Sequence, residues 1–142
     1  MKRISYLVAA ALCAFMVFGC AQQQKKPKAA EGKAMLQRIH FDFDRSNIKP
    51  EYEPVLKGNA DWMRNNSNTN VTIEGHCDER GSIEYNIALG DRRANSAKRY
   101  MMNLGIPANR LSTISYGKER PLCTQHTESC WWQNRRDEFV AR

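Results

Sequence analysis

Nowhere in this 142-residue chain is there an apolar run long enough to cross a bilayer. The longest, Ile4 to Phe18, is broken by Ser5 and Tyr6 and falls short of the ~20 residues that a spanning helix needs. Acidic residues are in short supply: 15 Asp and Glu against 22 Lys and Arg leave a formal charge of +7. A mildly basic chain attracts anionic polymers and headgroups. No nucleic-acid motif accompanies the charge, so nucleic acid is not expected as a partner. There are only 3 histidines, and their spacing from the cysteines matches no standard zinc finger. No oxyanion motif stands beside a candidate nucleophile, and no internal repeat is present. These absences point to a binding module rather than an enzyme, with no cofactor and no metal, built as one domain with appendages.

The N-terminus has the layout of an export leader. Lys2 and Arg3 form a charged start, the short apolar run follows, and it ends at Val17-Phe18-Gly19-Cys20. A small residue before a cysteine at this point resembles a bacterial lipobox. That resemblance implies cleavage of residues 1–19 and acylation of Cys20, which becomes the first residue of the mature chain. Phe18 departs from the pattern, in which the residue two before the cysteine is usually small. Loss of Lys2 and Arg3 with the leader takes the formal charge from +7 to +5. Ala21, rather than Asp, follows the cysteine, which implies passage to the outer membrane. Residues 20–36 then form the lipidated N-terminus and a tether. Its stretch AQQQKKPKAAEGK carries no bulky apolar residue and cannot order itself by burial. Thirteen such residues span ~20 Å as a coil and ~40 Å stretched.

The folded part is expected over residues 37–142. Ile39, Phe41 and Phe43 alternate with His40, Asp42 and Asp44, a half-buried strand. Tyr52, Val55, Leu56, Trp62 and Met63 recur at helical spacing, and NNSNTN at Asn65–Asn70 is a turn cluster. Val71 to Glu74 is a second strand. A helix is expected from about Glu84 to Leu104, with Ala94, Ala97, Tyr100, Met101 and Leu104 along one line and Gly105 as its stop. Leu111 to Tyr116 gives a third strand, with Ile114 and Tyr116 on one face. A loop through Cys123 and Cys130 leads to a last strand near Arg136 to Ala141, with Phe139 facing in. The order β-α-β-α-β-β implies an α/β (α+β) two-layer sandwich with the sheet covered on one face. Roughly 105 residues suffice for one modest core.

Charge concentrates where strand gives way to helix. His76, Asp78, Glu79 and Arg80 crowd a turn between Gly75 and Gly81, and Asn86, Arg92 and Arg93 follow on the helix. Such a junction suits a small charged ligand better than a core. The segment EGHCDERG at Glu74–Gly81 resembles the OmpA-like peptidoglycan-binding domains, and among them the peptidoglycan-associated lipoproteins of Gram-negative outer membranes. FDFD at Phe41–Asp44, YNIALGDRRA at Tyr85–Ala94, SYGKERP at Ser115–Pro121 and NRR at Asn134–Arg136 extend the resemblance in order, from about Gln37 to the C-terminus.

The resemblance implies a ligand: the diaminopimelate of the peptidoglycan stem peptide, which offers an ammonium and a carboxylate. It assigns the ammonium to Asp78 and the carboxylate to Arg93, whose planar fork can meet a carboxylate with two hydrogen bonds. Phe41, Asp42, Arg80 and Leu89 are further candidate contacts, and Asn86, Asn134 and Arg135 candidate supports. The competing reading of Asp78 and Arg93 is an ordinary surface ion pair. Arg92 and Arg136 are expected to be solvated or to support the site from behind, Met101 and Tyr100 to be core, and one of Trp131 and Trp132 to be core. The resemblance also implies a lipid-anchored outer-membrane protein with its domain in the periplasm, and a Tol-system partner of the TolB type acting during cell division. Another OmpA-like envelope-assembly or wall-anchoring protein is the alternative.

The cysteines leave a third possibility. In an oxidising compartment Cys123 and Cys130, which flank TQHTES, are expected to form a disulfide, leaving Cys77 unpaired. A zinc site from His76, Cys77, Cys123, His126 and Cys130, or a Cys77/His76 thiol enzyme, is the less favoured alternative. Neighbours on an extended segment point to opposite faces, which separates His76 from Cys77.

Overall fold

The computed structural model describes residues 35–142. The leader, Cys20 and nearly all of the tether lie outside the described residues. The element order is β1 (Ile39–His40), α1 (Glu53–Asn65), β2 (Val71–His76), α2 (Ile83–Asn103), β3 (Leu111–Gly117), α3 (Glu128–Asn134) and β4 (Arg136–Ala141). The four strands form one mixed sheet in the order β1-β4-β2-β3. β2 and β3 are parallel, while β4 runs antiparallel to both β1 and β2.

Two-residue alternation sorts the strands. Val71, Ile73 and Gly75 of β2 stand opposite Ala141, Phe139 and Asp137 of β4, on the face covered by α1 and α2. Leu56, Ala60 and Met63 of α1 and Ala94, Ala97 and Met101 of α2 meet Ile39, Val71, Ile73, Leu111 and Phe139 in a single core. The spacing of three and four in each helix lays these residues along one stripe. The expected two-layer α/β sandwich is therefore the fold. Gly105, at φ +91°, ends α2 as expected, with its N–H donating to Met102 O and that of Ile106 to Met101 O.

Several expectations need correction. β1 keeps only two ladder residues, and the FDFD segment leaves the sheet. Phe41 is buried, but Phe43 is 54% exposed instead of facing the core. The stretch before β4 contains the seven-residue helix α3, so the order is β-α-β-α-β-α-β. Neither Trp131 nor Trp132 enters the core. Trp132 stacks on His40 with ring centroids 4.0 Å apart. Arg136 is buried rather than solvated. It donates to Glu138 at 2.6 Å on the sheet face away from α1 and α2.

A candidate carboxylate-binding cavity at the β2–α2 junction

Two glycines decide how α2 sits on the sheet. A Cβ on Gly75 would lie 2.7 Å from the carbonyl carbon of Gly90, and one on Gly90 would lie 2.9 Å from Gly75 O. Without side chains at either position the helix backbone rests directly on β2. The turn between them needs Gly81 at φ +94°, a conformation that favours glycine. Ser82 then caps α2, its hydroxyl accepting from Tyr85 N at 3.1 Å. Asn86, one turn in, donates to Arg80 O at 2.9 Å and Ser82 O at 3.0 Å, closing the turn from below.

This junction frames a cavity of about 170 Å³. Cys77, Asp78, Arg80, Leu89 and Arg93 line it, together with Phe43, Tyr85 and Arg135. Asp78 and Arg93 share the cavity but do not pair, so the ordinary ion-pair reading fails. Asp78 Oδ1 accepts from the backbone N and Nε of Arg80, both at 3.1 Å. Its Oδ2 accepts from Arg80 Nη2 at 2.6 Å and Arg135 Nη1 at 3.1 Å. Burial pulls the Asp78 carboxyl up, but the hydrogen bonds from Arg80 and Arg135 outweigh it and hold the group below its usual value. Arg80 is clamped between aromatic rings, 3.8 Å from the centroid of Phe43 and 4.2 Å from that of Trp131.

Arg93 is fully buried. Nε donates to Arg45 O at 2.8 Å, Nη1 to His76 O at 2.8 Å and Nη2 to Asp42 O at 3.1 Å, and Nη1 also reaches Cys77 Sγ at 3.5 Å. These bonds use four of the five N–H groups of a guanidinium. The free two-pronged fork expected for a ligand is thus reduced to one N–H on Nη2. Every acceptor around Arg93 is neutral, so its charge is not balanced by a direct contact.

The remaining sequence-based candidates fall into two groups. Leu89 and Arg80 line the cavity. Phe41 and Asp42 do not. Phe41 is core, and the Asp42 carboxylate faces solvent and pairs with Lys49 at 3.1 Å, its carbonyl alone serving Arg93. Arg135 ties three segments together, through Phe41 O at 3.0 Å, Asp78 and Glu128. Asn134 accepts from Leu122 N at 2.8 Å and Cys123 N at 3.2 Å, and donates to Cys123 O at 2.7 Å. Phe43, Asp44 and Tyr85 were missed as cavity residues, although all three lie inside the FDFD and YNIALGDRRA motifs. The Tyr85 hydroxyl donates to Asp44 across the rim.

Cys123 and Cys130 are joined by a disulfide, with Cα atoms 5.3 Å apart. That removes two of the five donors of the zinc alternative, and no group of three metal-ligating side chains occurs among the described residues. Cys77 is free and buried; burial pushes its thiol up to about 11, so it stays protonated and is a poor nucleophile. His76 lies on the opposite side of the sheet, beside Tyr116. No described helix is long and apolar enough to cross a membrane.

The chain belongs to the OmpA family, whose model matches residues 40–135. It is similar to the peptidoglycan-associated lipoprotein of Rhizobium meliloti, 48% identical over 99 residues that cover 70% of this chain and 56% of that one. The peptidoglycan-associated lipoprotein of Pseudomonas aeruginosa is 46% identical over 101 residues, 71% of this chain and 60% of its own. The chain thus spans under two thirds of the length of these curated relatives. The crystal structure of the peptidoglycan-associated lipoprotein from Burkholderia pseudomallei superposes with a TM-score of 0.73 at 35% identity, covering 75% of this chain and 90% of that one.

Proposed function

We propose that this domain grips peptidoglycan non-covalently through the diaminopimelate of the stem peptide. The observation that carries the reading is the unbalanced charge of Arg93 on a cavity whose buried carboxylate, Asp78, is already held by two other arginines. A ligand carboxylate supplies the missing anion through the remaining N–H of Nη2. Leu89 and the ring of Phe43 offer apolar surface to the methylene chain between the ligand's two ends. The ammonium goes to Asp78, all of whose hydrogen bonds are made by arginines in the free protein. It therefore takes the place of the Arg80 guanidinium, which is the more exposed of the two partners. The names of the relatives support the wall as the ligand.

Acylated Cys20 would hold the domain at the outer membrane with the tether reaching toward the wall, making the protein a periplasmic anchor without catalytic chemistry. A TolB-like periplasmic protein of the Tol system is the proposed partner in cell division. Cosedimentation with purified diaminopimelate-type peptidoglycan tests the central claim. Wild type pellets with the wall, and Asp78→Asn, checked for folding by circular dichroism, stays in solution. Equal sedimentation of the two proteins sinks the reading.

A further inference from the structure

Asp137 is the least expected side chain in the core. It is 0% exposed, and neither carboxyl oxygen accepts a hydrogen bond. Its position follows from register. Asp137 pairs with Gly75 of β2 and Ile39 of β1, both on the face turned toward the helices. Gly75 lies against Gly90 of α2, and Arg93 is three residues further along that helix, on the same side. The glycine contact that lowers α2 onto the sheet thus brings Arg93 over the region that holds Asp137.

The two groups do not form a salt bridge. The hydrogen bonds of Arg93 run to Arg45 O, His76 O, Asp42 O and Cys77 Sγ. A buried carboxylate with no hydrogen bond costs several kcal/mol, whereas a neutral carboxylic acid avoids the charge penalty. Burial pushes the Asp137 carboxyl well above its usual range, and only Arg93 pulls it the other way. Other charges near the site are already engaged. Asp78 is held by Arg80 and Arg135, Glu128 by Arg135, and Asp42 faces solvent with Lys49. From α2 the facing charges are Arg93 and, more remotely, Arg92, which acts on the neutral Cys77 thiol. β1 contributes Ile39 and β2 Gly75, neither of which titrates.

We propose that Asp137 sets the charge of the cavity: it carries its proton in the folded protein at neutral pH, leaving Arg93 uncancelled for a ligand carboxylate, and its ionisation at alkaline pH opposes that ligand. With Asp137 neutral, Arg93 has no anionic partner: Asp78 is held by Arg80 and Arg135, and the Asp44 carboxylate at the rim accepts from Tyr85. Ionised Asp137 places a negative charge beneath Arg93 and offsets it. A carboxylate in the cavity in turn makes Asp137 harder to ionise, so affinity falls as pH rises through the titration of Asp137, by up to about tenfold per pH unit. The proton half stands on the burial of Asp137. The ligand half rests on the proposed wall-binding reading.

The test uses the full chain in detergent micelles with carbon-13-labelled aspartate carboxyls, titrated by NMR from pH 5 to pH 10, with Asp137→Asn to assign the resonance. The expected Asp137 signal is that of a protonated acid at pH 7 and ionises at higher pH. An ionised signal at pH 7 overturns the proton half, and a signal still protonated at pH 10 overturns the linkage. Stem tripeptide ending in diaminopimelate is then titrated into both proteins across the same range. Asp137→Asn binds within about threefold of wild type at pH 7 and does not share the loss of affinity that wild type shows as Asp137 ionises. Parallel pH profiles, or an Asn variant more than tenfold tighter at pH 7, overturn the proposal. Failure of wild type to bind the peptide at any pH removes the ligand half together with the wall reading, while the NMR titration judges the proton half by itself.

Discussion

Diaminopimelate and lysine at the same stem position differ by one carboxylate, and that difference isolates Arg93. The family resemblance implies a free guanidinium fork and a loss of two parallel hydrogen bonds with the lysine peptide. The structure leaves one unused N–H on Nη2, because Arg45 O, His76 O, Asp42 O and Cys77 Sγ occupy the others. One hydrogen bond to a charged partner is worth ~1.5–3 kcal/mol. At ~1.4 kcal/mol per decade this gives about 10- to 150-fold weaker binding of the lysine peptide. The same geometry makes Arg93→Ala a poor control. It would strip three carbonyls of their partner, at ~1–3 kcal/mol each, from a domain whose whole stability is ~5–15 kcal/mol. The clean perturbation is therefore in the ligand. Wild-type protein is titrated calorimetrically with both tripeptides at neutral pH. Arg93→Lys, which keeps a charge but loses the planar fork, is expected to bind both more weakly and to discriminate less. Equal wild-type affinity for the two peptides would refute the role given to Arg93.

His76 is buried and its imidazole is lowered to about 4, first by burial and then by Arg136. Its neutral form is favoured by folding, so its contribution is complete above about pH 6.5 and is lost as pH falls toward 4. The loss amounts to about 3 kcal/mol at ~1.36 kcal/mol per unit. Denaturant melts of wild type and His76→Gln between pH 4.5 and 7 should show a steeper acid loss in wild type, and parallel curves would refute it. Gly75→Ala should destabilise the domain by at least ~1–3 kcal/mol, because its methyl meets the Gly90 backbone; an unchanged melting temperature would show that α2 does not sit directly on β2. Non-reducing peptide mapping should find Cys123 linked to Cys130 and Cys77 as the free thiol of the domain. With its thiol near 11, native Cys77 should resist iodoacetamide at pH 8 and react once denatured, so rapid native labelling counts against its burial.

Much of the architecture is written in local patterns. Alternation through Val71-Thr72-Ile73 and the three–four spacing of Ala94, Ala97 and Met101 are properties of neighbouring residues and carry into the fold, whereas the alternation of Ile39, Phe41 and Phe43 is overridden after two ladder residues. β4 could be placed for the same reason, with Phe139 facing in. α3 has little local signature, because seven residues complete barely two turns and the side chain of its N-cap Thr127 makes no capping bond to the helix backbone. Candidate site residues were legible as motifs. What each one touches was not, since Arg93 meets carbonyls 48, 17 and 51 positions away. The same alternation that turns Phe139 inward turns Asp137 inward two residues earlier.

By itself, then, the sequence determined the periodic elements, the cysteine pair and the set of charged residues at the β2–α2 junction, because each depends on spacing along the chain. Tertiary structure alone decided that Asp78 is already held by arginines, that Arg93 has one N–H unused instead of two, and that the inward-facing Asp137 is left without a hydrogen bond beneath α2. Those facts depend on how closely a helix backbone approaches a sheet, and here the approach is set by two glycines fifteen residues apart whose contact no local pattern records.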